Sequence, residues 1–274
     1  MALTAAYSQM FAPSFKANYQ ASGKLRGTCM ELHNLVGDSY KMKFMAQVAM
    51  DERTAYGADI PSKDPTATAP SISFTDYQLK LSIDEREQQN INASIINAYT
   101  QTHAKAMGRR EDQFIIDAVV ADATKTVAVG TTNLTLTKLL EAQELLGQDE
   151  VDDEIHIVAH FNNVMSLLSD EKVSSSDYNT VKTLMDARIG SYAGFTWHIV
   201  GNRTNEGGLP KTGNNRTVIA YATNAVALGY RQDPTIRVVD VPNNIRTETI
   251  SFMTAGAKVG DANGVVTIIC DESA

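Results

Sequence analysis

Two short fragments match motifs of serine penicillin-recognising enzymes: Ser169-Asp170-Glu171-Lys172 fits S-x-x-K, and Lys211-Thr212-Gly213 fits K-T-G. That chemistry needs its serine at a helix start and the K-T-G on a strand facing it. Here Ser169 ends a predicted short helix, and Lys211 lies in a Gly- and Asn-rich loop. The intervening S-D-N is missing, Ser176-Asp177-Tyr178 being the nearest approach, so the spacing argues against this class. His156 and His160 are four apart, which on a helix would suit a metal ion. They sit in EIHIVAH (154–160), a strand pattern that sets them about 13 Å apart along one face. The expectation is two polar positions on a half-exposed strand. The acidic run from Gln148 to Glu154 lacks the alternating ligands and central glycine of a calcium loop and reads as a solvated helix-to-strand connection. His33, His103 and His198 are isolated. No GxGxxG, Walker loop or GxSxG occurs, and the N-x-S/T matches at Asn92, Asn133, Asn202 and Asn215 are chance-level. The chain is expected to be no enzyme and to hold no metal or cofactor.

The 274 residues are 43% apolar, enough for a sizeable core in one large domain or two modest ones. Lys and Arg number 24 against 32 Asp and Glu, leaving a net charge of −8. Such a balance argues against tight wrapping of nucleic acid, which needs clustered cations. The imbalance is uneven: residues 1–50 carry five basic and two acidic side chains (+3), so the remainder carries −11. No apolar run approaches the roughly 18 residues needed to span a bilayer. The start, MALTAAYSQMF, lacks the pattern of a secretory signal. Cys29 and Cys270 lie far apart without CxxC pairing, which fits free thiols, a reducing compartment and a cytosolic origin.

The elements follow from periodicity. Residues 1–28 are weakly patterned and read as an extended arm. Tyr40, Met42, Phe44, Ala46 and Val48 alternate with polar neighbours, predicting a strand over 38–50. A polar stretch at 51–71 holds three of the seven prolines, at 61, 65 and 70. Alternation resumes with Tyr77, Leu79, Leu81 and Ile83, so the two strands are expected to form a long two-stranded excursion. A loop of that length in a compact domain has a job. From Glu87 to Asp122 the period changes to that of a helix with a narrow apolar stripe, with Gly108 and the charged cluster after it expected to bend or break the rod.

The rest reads as α/β: a helix at 135–147 capped by Thr135 or Thr137, a strand at 155–159, and helices at 162–170 and 178–190. Strands follow at 194–200 and 217–222, the latter leading into a short Ala-rich helix ending near Gly229. Strands close the chain, the last two separated by a turn at 261–264.

The order of these features, arm, excursion, long helix, α/β region and returning strands, resembles the major capsid protein of tailed double-stranded DNA phages, of the Hong Kong 97 type. Local matches carry the resemblance: Leu134-Thr135, Leu139-Leu140-Glu141-Ala142, Leu167-Leu168-Ser169-Asp170, Arg188-Ile189-Gly190 and Gly194-Phe195-Thr196. They continue through Asn224-Ala225-Val226-Ala227-Leu228, Ala255-Gly256-Ala257-Lys258-Val259 and Gly264-Val265-Val266.

The resemblance implies an α+β capsid fold with an N-terminal arm (1–37), an extended loop with flanking strands (38–84), a peripheral domain with a spine helix (85–131 and 241–274) and an axial domain (132–240). It implies a shell subunit that joins copies of itself in hexamers and pentamers around double-stranded DNA without sequence-specific binding. Its place would be the virion capsid, assembled in the host bacterial cytoplasm without a membrane. At this length no large prosegment is expected, so a scaffolding protein would be separate; a portal protein and decoration proteins are further implied partners. Asp51, Glu52, Arg53, Lys63 and Asp64 on the loop, with Arg109, Arg110, Glu111 and Asp112 on the helix, are the expected assembly-interface charges. Two alternatives stay open: an encapsulin-like protein nanocompartment, and an unrelated α/β enzyme.

Overall fold

The computed structural model describes residues 20–45, 48–52, 56–57, 62–65, 67–84, 95–169, 190–203, 206–241 and 245–273. Its first sheet has four strands in the order β1 (Met30–Leu32), β13 (Val226–Val241), β14 (Arg246–Val259) and β6 (Thr75–Asp84). The alternation read at 77–83 is real: β6 pairs with β14 from Thr75↔Ala255 to Asp84↔Arg246. Its apolar face turns towards α1 (Ile95–Asp122), where Tyr77 meets Phe114 edge-on at 5.4 Å. His103 of α1 is fully buried between the hydroxyls of Thr249 and Ser251 on the same sheet face.

Gly108 does not break this helix, which runs on for 28 residues, roughly 42 Å. Its missing side chain has another use. The arm crosses α1 there with Gly23 so close that a Cβ on Gly23 would lie 2.6 Å from the Gly108 carbonyl oxygen. The helix start expected at residue 87 falls outside the described residues, as do nearly all of the helix expected at 178–190 and residues 1–19 of the arm.

The excursion is present, but its return leg is not the strand at 76–83. β2 (Ser39–Lys41) pairs with β5 (Ser71–Ser73), and β3 (Phe44–Met45) pairs with β4 (Ala67–Thr68), both antiparallel. Pro70 lacks an N–H and interrupts the return leg, yet its carbonyl accepts from the Met42 amide at 3.0 Å. The prolines that marked 51–71 as loop thus concealed two short strands. β6 belongs to the body of the protein, where a long apolar face finds a helix to cover it.

The second sheet has seven strands. Its path runs β7 (Lys125–Val127), β15 (Val265–Asp271), β12 (Asn215–Ala222), β8 (Ile155–His160), β10 (Phe195–Val200), β9 (Ser191–Tyr192), with β11 (Lys211–Thr212) beside β12. One face packs on α2 (Leu136–Gly147) and α3 (Phe161–Ser169), burying Leu139, Leu146, Val164 and Leu167 against Ile157, Trp197 and Val218. The other packs on Leu25, Ile115, Ile116 and Val119. Because both faces are covered, His156 and His160 are each only 6% exposed, not half-exposed as the alternation suggested. Thr135 is the N-cap of α2, its hydroxyl accepting from the Lys138 amide.

The Ala-rich helix expected after residue 222 is absent. Residues 223–225 turn, and Val226–Tyr230 open β13, buried throughout between β1 and β14. A short run that is apolar on every side fits a central strand as well as a helix, and the two-sided pairing decides it.

Candidate functional site: the projecting hairpin and the arm anchor

The hairpin of β2–β5 leaves the body between Asp38 and Phe74. At its root Arg231 pairs with Asp38 on the outgoing leg at 3.0 Å and with Asp76 of β6 in the body at 3.3 Å. Met42 and Ile72 plug it against Ala227 of β13. The seat is cut to fit: a Cβ on Gly256 would lie 2.1 Å from the Ser73 carbonyl oxygen. Beyond the root Phe44 still lies against Gly260 of the body. Met45, Met50 and Tyr56 are 78%, 98% and 103% exposed, apolar surface that one isolated chain leaves in water. Lys63 bonds to Asp51 and to the Ala49 carbonyl across the outer part of the hairpin. Glu52 and Asp64 are exposed. Arg53 lies outside the described residues.

The four charges on the helix have partners within this chain. Asp112, with no exposure, accepts the Lys24 and Leu25 amides at 2.9 Å and the Arg203 guanidinium at 2.7 Å. Arg203 also donates to the carbonyls of Ser22 and Gly207. Glu111 is buried and accepts from the Tyr230 hydroxyl at 2.9 Å; burial pushes its carboxyl up. Arg110 lies over the Tyr77 ring at 4.4 Å and pairs with Glu206, and Arg109 donates to the Ala21 carbonyl. The cluster therefore fastens arm, helix and the loop after β10 at one point. The roles of Arg203, Gly23, Arg231 and Asp38 leave no local spacing in the sequence, because their partners Asp112, Gly108, Asp38 and Arg231 lie roughly 85 to 193 positions away.

Of the catalytic look-alikes, Ser169 and Lys211 are described, while Lys172 lies outside the described residues. Ser169 donates to the carbonyls of Met165 and Ser166 in its own helix, and Lys211 is held by Glu272. His156 and His198 touch at 3.3 Å; burial lowers both, His198 to about 4. No group of three metal-competent side chains occurs among the described residues. The acidic run is tied down through Lys125–Asp149, Asn224–Asp153 and Thr196–Glu154. Cys29 and Cys270 are free and buried, and burial holds both thiols up at about 12.

A long helix laid on one sheet, a second sheet with helices of its own, and a hairpin projecting from the first make up a fold of the Hong Kong 97 type. The family model described as phage capsid protein matches residues 3–272, and the chain belongs to that family. Similar solved structures include one titled for Mycobacterium phage Che8, at 16% identity and TM-score 0.72, covering 95% of this chain and 96% of that one. The capsid structure of cyanophage P-SCSP1u matches at 13% identity and TM-score 0.75, covering 96% and 92%. The head structure of Helicobacter pylori bacteriophage KHP40 matches at 9% identity and TM-score 0.75, covering 96% and 95%. The search of curated proteins found no match.

Proposed function

We propose that this chain is the major capsid protein of a tailed phage, closing in hexamers and pentamers into an icosahedral shell around double-stranded DNA. The observation that carries the assembly role is the hairpin: its root is packed and charged in place, while its outer part presents Met45, Met50 and Tyr56 to solvent. A neighbouring copy is the natural cover, and repetition around a closed shell makes each modest contact count. Asp51, Glu52, Arg53, Lys63 and Asp64 would exchange ion pairs across that contact, each worth only about 0–1 kcal/mol.

The seven-stranded sheet with α2 and α3 is the axial domain in this reading, and the four-stranded sheet with α1 the peripheral one. In this reading β13 would go with the peripheral part, and β7 and β15 with the axial part, each with the sheet it pairs in. The subunit is structural rather than catalytic. It encloses DNA without reading its sequence, and its net charge of −8 suits a wall along which a motor-driven duplex slides. A separate scaffold, a portal and optional decoration proteins complete the assembly, in the host cytoplasm.

The test is electron microscopy of particles from cells expressing the chain with its candidate scaffold, beside a variant lacking residues 54–68. Shells are expected from the intact chain, with yield collapsing in the deletion. Undiminished yield would refute the hairpin's role. Nuclease-protected DNA inside particles from infected cells separates a virion from a compartment filled with a protein cargo.

A further inference from the structure

β13 bulges where the hairpin begins. Its register with β14 slips between Tyr230 and Gln232 and again between Gln232 and Thr235, and Pro234 inside the slip has no N–H to give a ladder. A bulge re-aims side chains, and this one supplies both side-chain ties to the outgoing leg. Arg231 reaches Asp38 at 3.0 Å, and the Asp233 carboxylate meets Nδ1 of His33 at 2.7 Å. Between these ties the Leu35 amide donates to the Tyr230 carbonyl at 3.1 Å. The His33 ring lies flat on the Tyr230 ring, with 5.0 Å between centroids and 7° between planes. Its Nε2 faces the Glu31 carboxylate at 3.4 Å, whose other oxygen takes the Gly27 amide.

An imidazole with a carboxylate at each nitrogen can donate to both only as imidazolium, since the neutral ring carries one N–H. The two carboxylates therefore hold His33 above its ordinary range, the Asp233 bond foremost. The remaining charged groups at this place act through Tyr230. Arg26 lies 6.0 Å from its ring centroid, and its hydroxyl donates to buried Glu111, 3.9 Å from the Arg26 guanidinium. Arg231 is occupied by Asp38 and Asp76. We propose that His33 is a proton-operated latch at the hairpin root: as imidazolium it ties the outgoing leg to Asp233 on the β13 bulge, and on losing its proton it lets that leg loosen. As regulation of shell building, the latch rests on the assembly role proposed for the hairpin above. The sign follows from the raised value: the tie is fully present below the unfolded histidine's 6.5 and is lost as pH rises through the folded value. The His33 side chain is 36% exposed, so solvent screens the pair and the effect should stay within about tenfold.

Ring NMR of the full-length subunit reads the titration, and amide exchange at Leu35, corrected for its intrinsic pH dependence, reads the latch. His33 is expected to titrate above 6.5, and Leu35 protection to fall about three- to tenfold between about pH 6 and pH 9. Linkage ties the two numbers together: a ring that titrates half a unit high must show a loss of about threefold, and one that titrates a full unit high about tenfold. In Asp233→Asn the ring should move back towards 6.5 and the step at Leu35 should shrink below about twofold. In His33→Gln, which cannot titrate, the step should vanish. A ring that titrates at or below 6.5, protection that does not change with pH, or a step undiminished in either variant overturns the latch. Where a variant misfolds, the agreement between ring and amide in the wild-type chain decides alone. All of these readings come from the single subunit, so the latch stands or falls separately from the yield of shells that tests the hairpin's assembly role.

Discussion

Gly23→Ala isolates the crossing of arm and helix. The new methyl would stand 2.6 Å from the Gly108 carbonyl oxygen and 2.7 Å from its carbon, so about 0.8 Å of movement is needed to reach ordinary contact. The helix backbone is pinned by its own ladder; the arm must lift. A lift of that size stretches the Lys24 and Leu25 amide bonds to Asp112 from 2.9 Å to beyond bonding range. Bonds to a charged acceptor contribute about 1.5–3 kcal/mol each, and partial relaxation returns some of that, so the expected loss is about 3 kcal/mol. At about 2–4 °C per kcal/mol for a chain of this size, Tm should fall by roughly 6–12 °C.

Thermal unfolding of the purified subunit reads the total, and amide exchange at Lys24 and Leu25 reads the place, with about 100-fold loss of protection expected. Gly147→Ala is the control, because nothing lies within 4 Å of its added carbon. Gly108→Ala adds a sign test. Helix propensity alone would stabilise it by about 1 kcal/mol, whereas the crossing puts its Cβ 3.0 Å from the Gly23 nitrogen. A Gly23→Ala subunit with unchanged Tm and protected Lys24 and Leu25 amides would show that the crossing does not hold the arm.

Arg203→Ala leaves the buried Asp112 carboxylate without its cation and should cost about 3–5 kcal/mol; a double-mutant cycle with Asp112→Asn should show coupling above about 1 kcal/mol, and additive losses would deny the pair. His198, held down at about 4 by burial and by His156, is neutral in the folded chain while the unfolded chain takes up a proton near 6.5. The unfolded state binds more protons between those values, so this contribution is full above pH 6.5 and is lost as pH falls towards 4. His198→Gln should flatten the urea-midpoint slope over that window; an unchanged slope assigns the acid sensitivity elsewhere.

Elements with a clean period were legible from sequence. The alternation at 77–83, the capped helix from Thr135 to Gly147, and the helical stripe ending at Asp122 all lie where the pattern puts them. Misreadings fall where identity underdetermines environment. Val226–Tyr230 is apolar enough for either helix or strand, and pairing on both sides made it a strand. His156 and His160 alternate with apolar neighbours as a half-exposed strand would, yet Leu25 and α1 close over their side of the sheet. Nothing local in the sequence marks Asp112 and Glu111 as buried; the arm and Tyr230, distant along the chain, bury them.

Periodicity is a property of neighbours along the chain, so the sequence by itself determined which segments extend, which coil, and in what order they come. That order was enough to point to the capsid family. Only the tertiary structure decided which strand answers which, why a glycine sits in mid-helix, and which charges are buried. Those outcomes depend on pairs such as Gly23 with Gly108 and Arg203 with Asp112. Contacts so distant along the chain leave no local period, because their free energy arises only when folding brings the surfaces together.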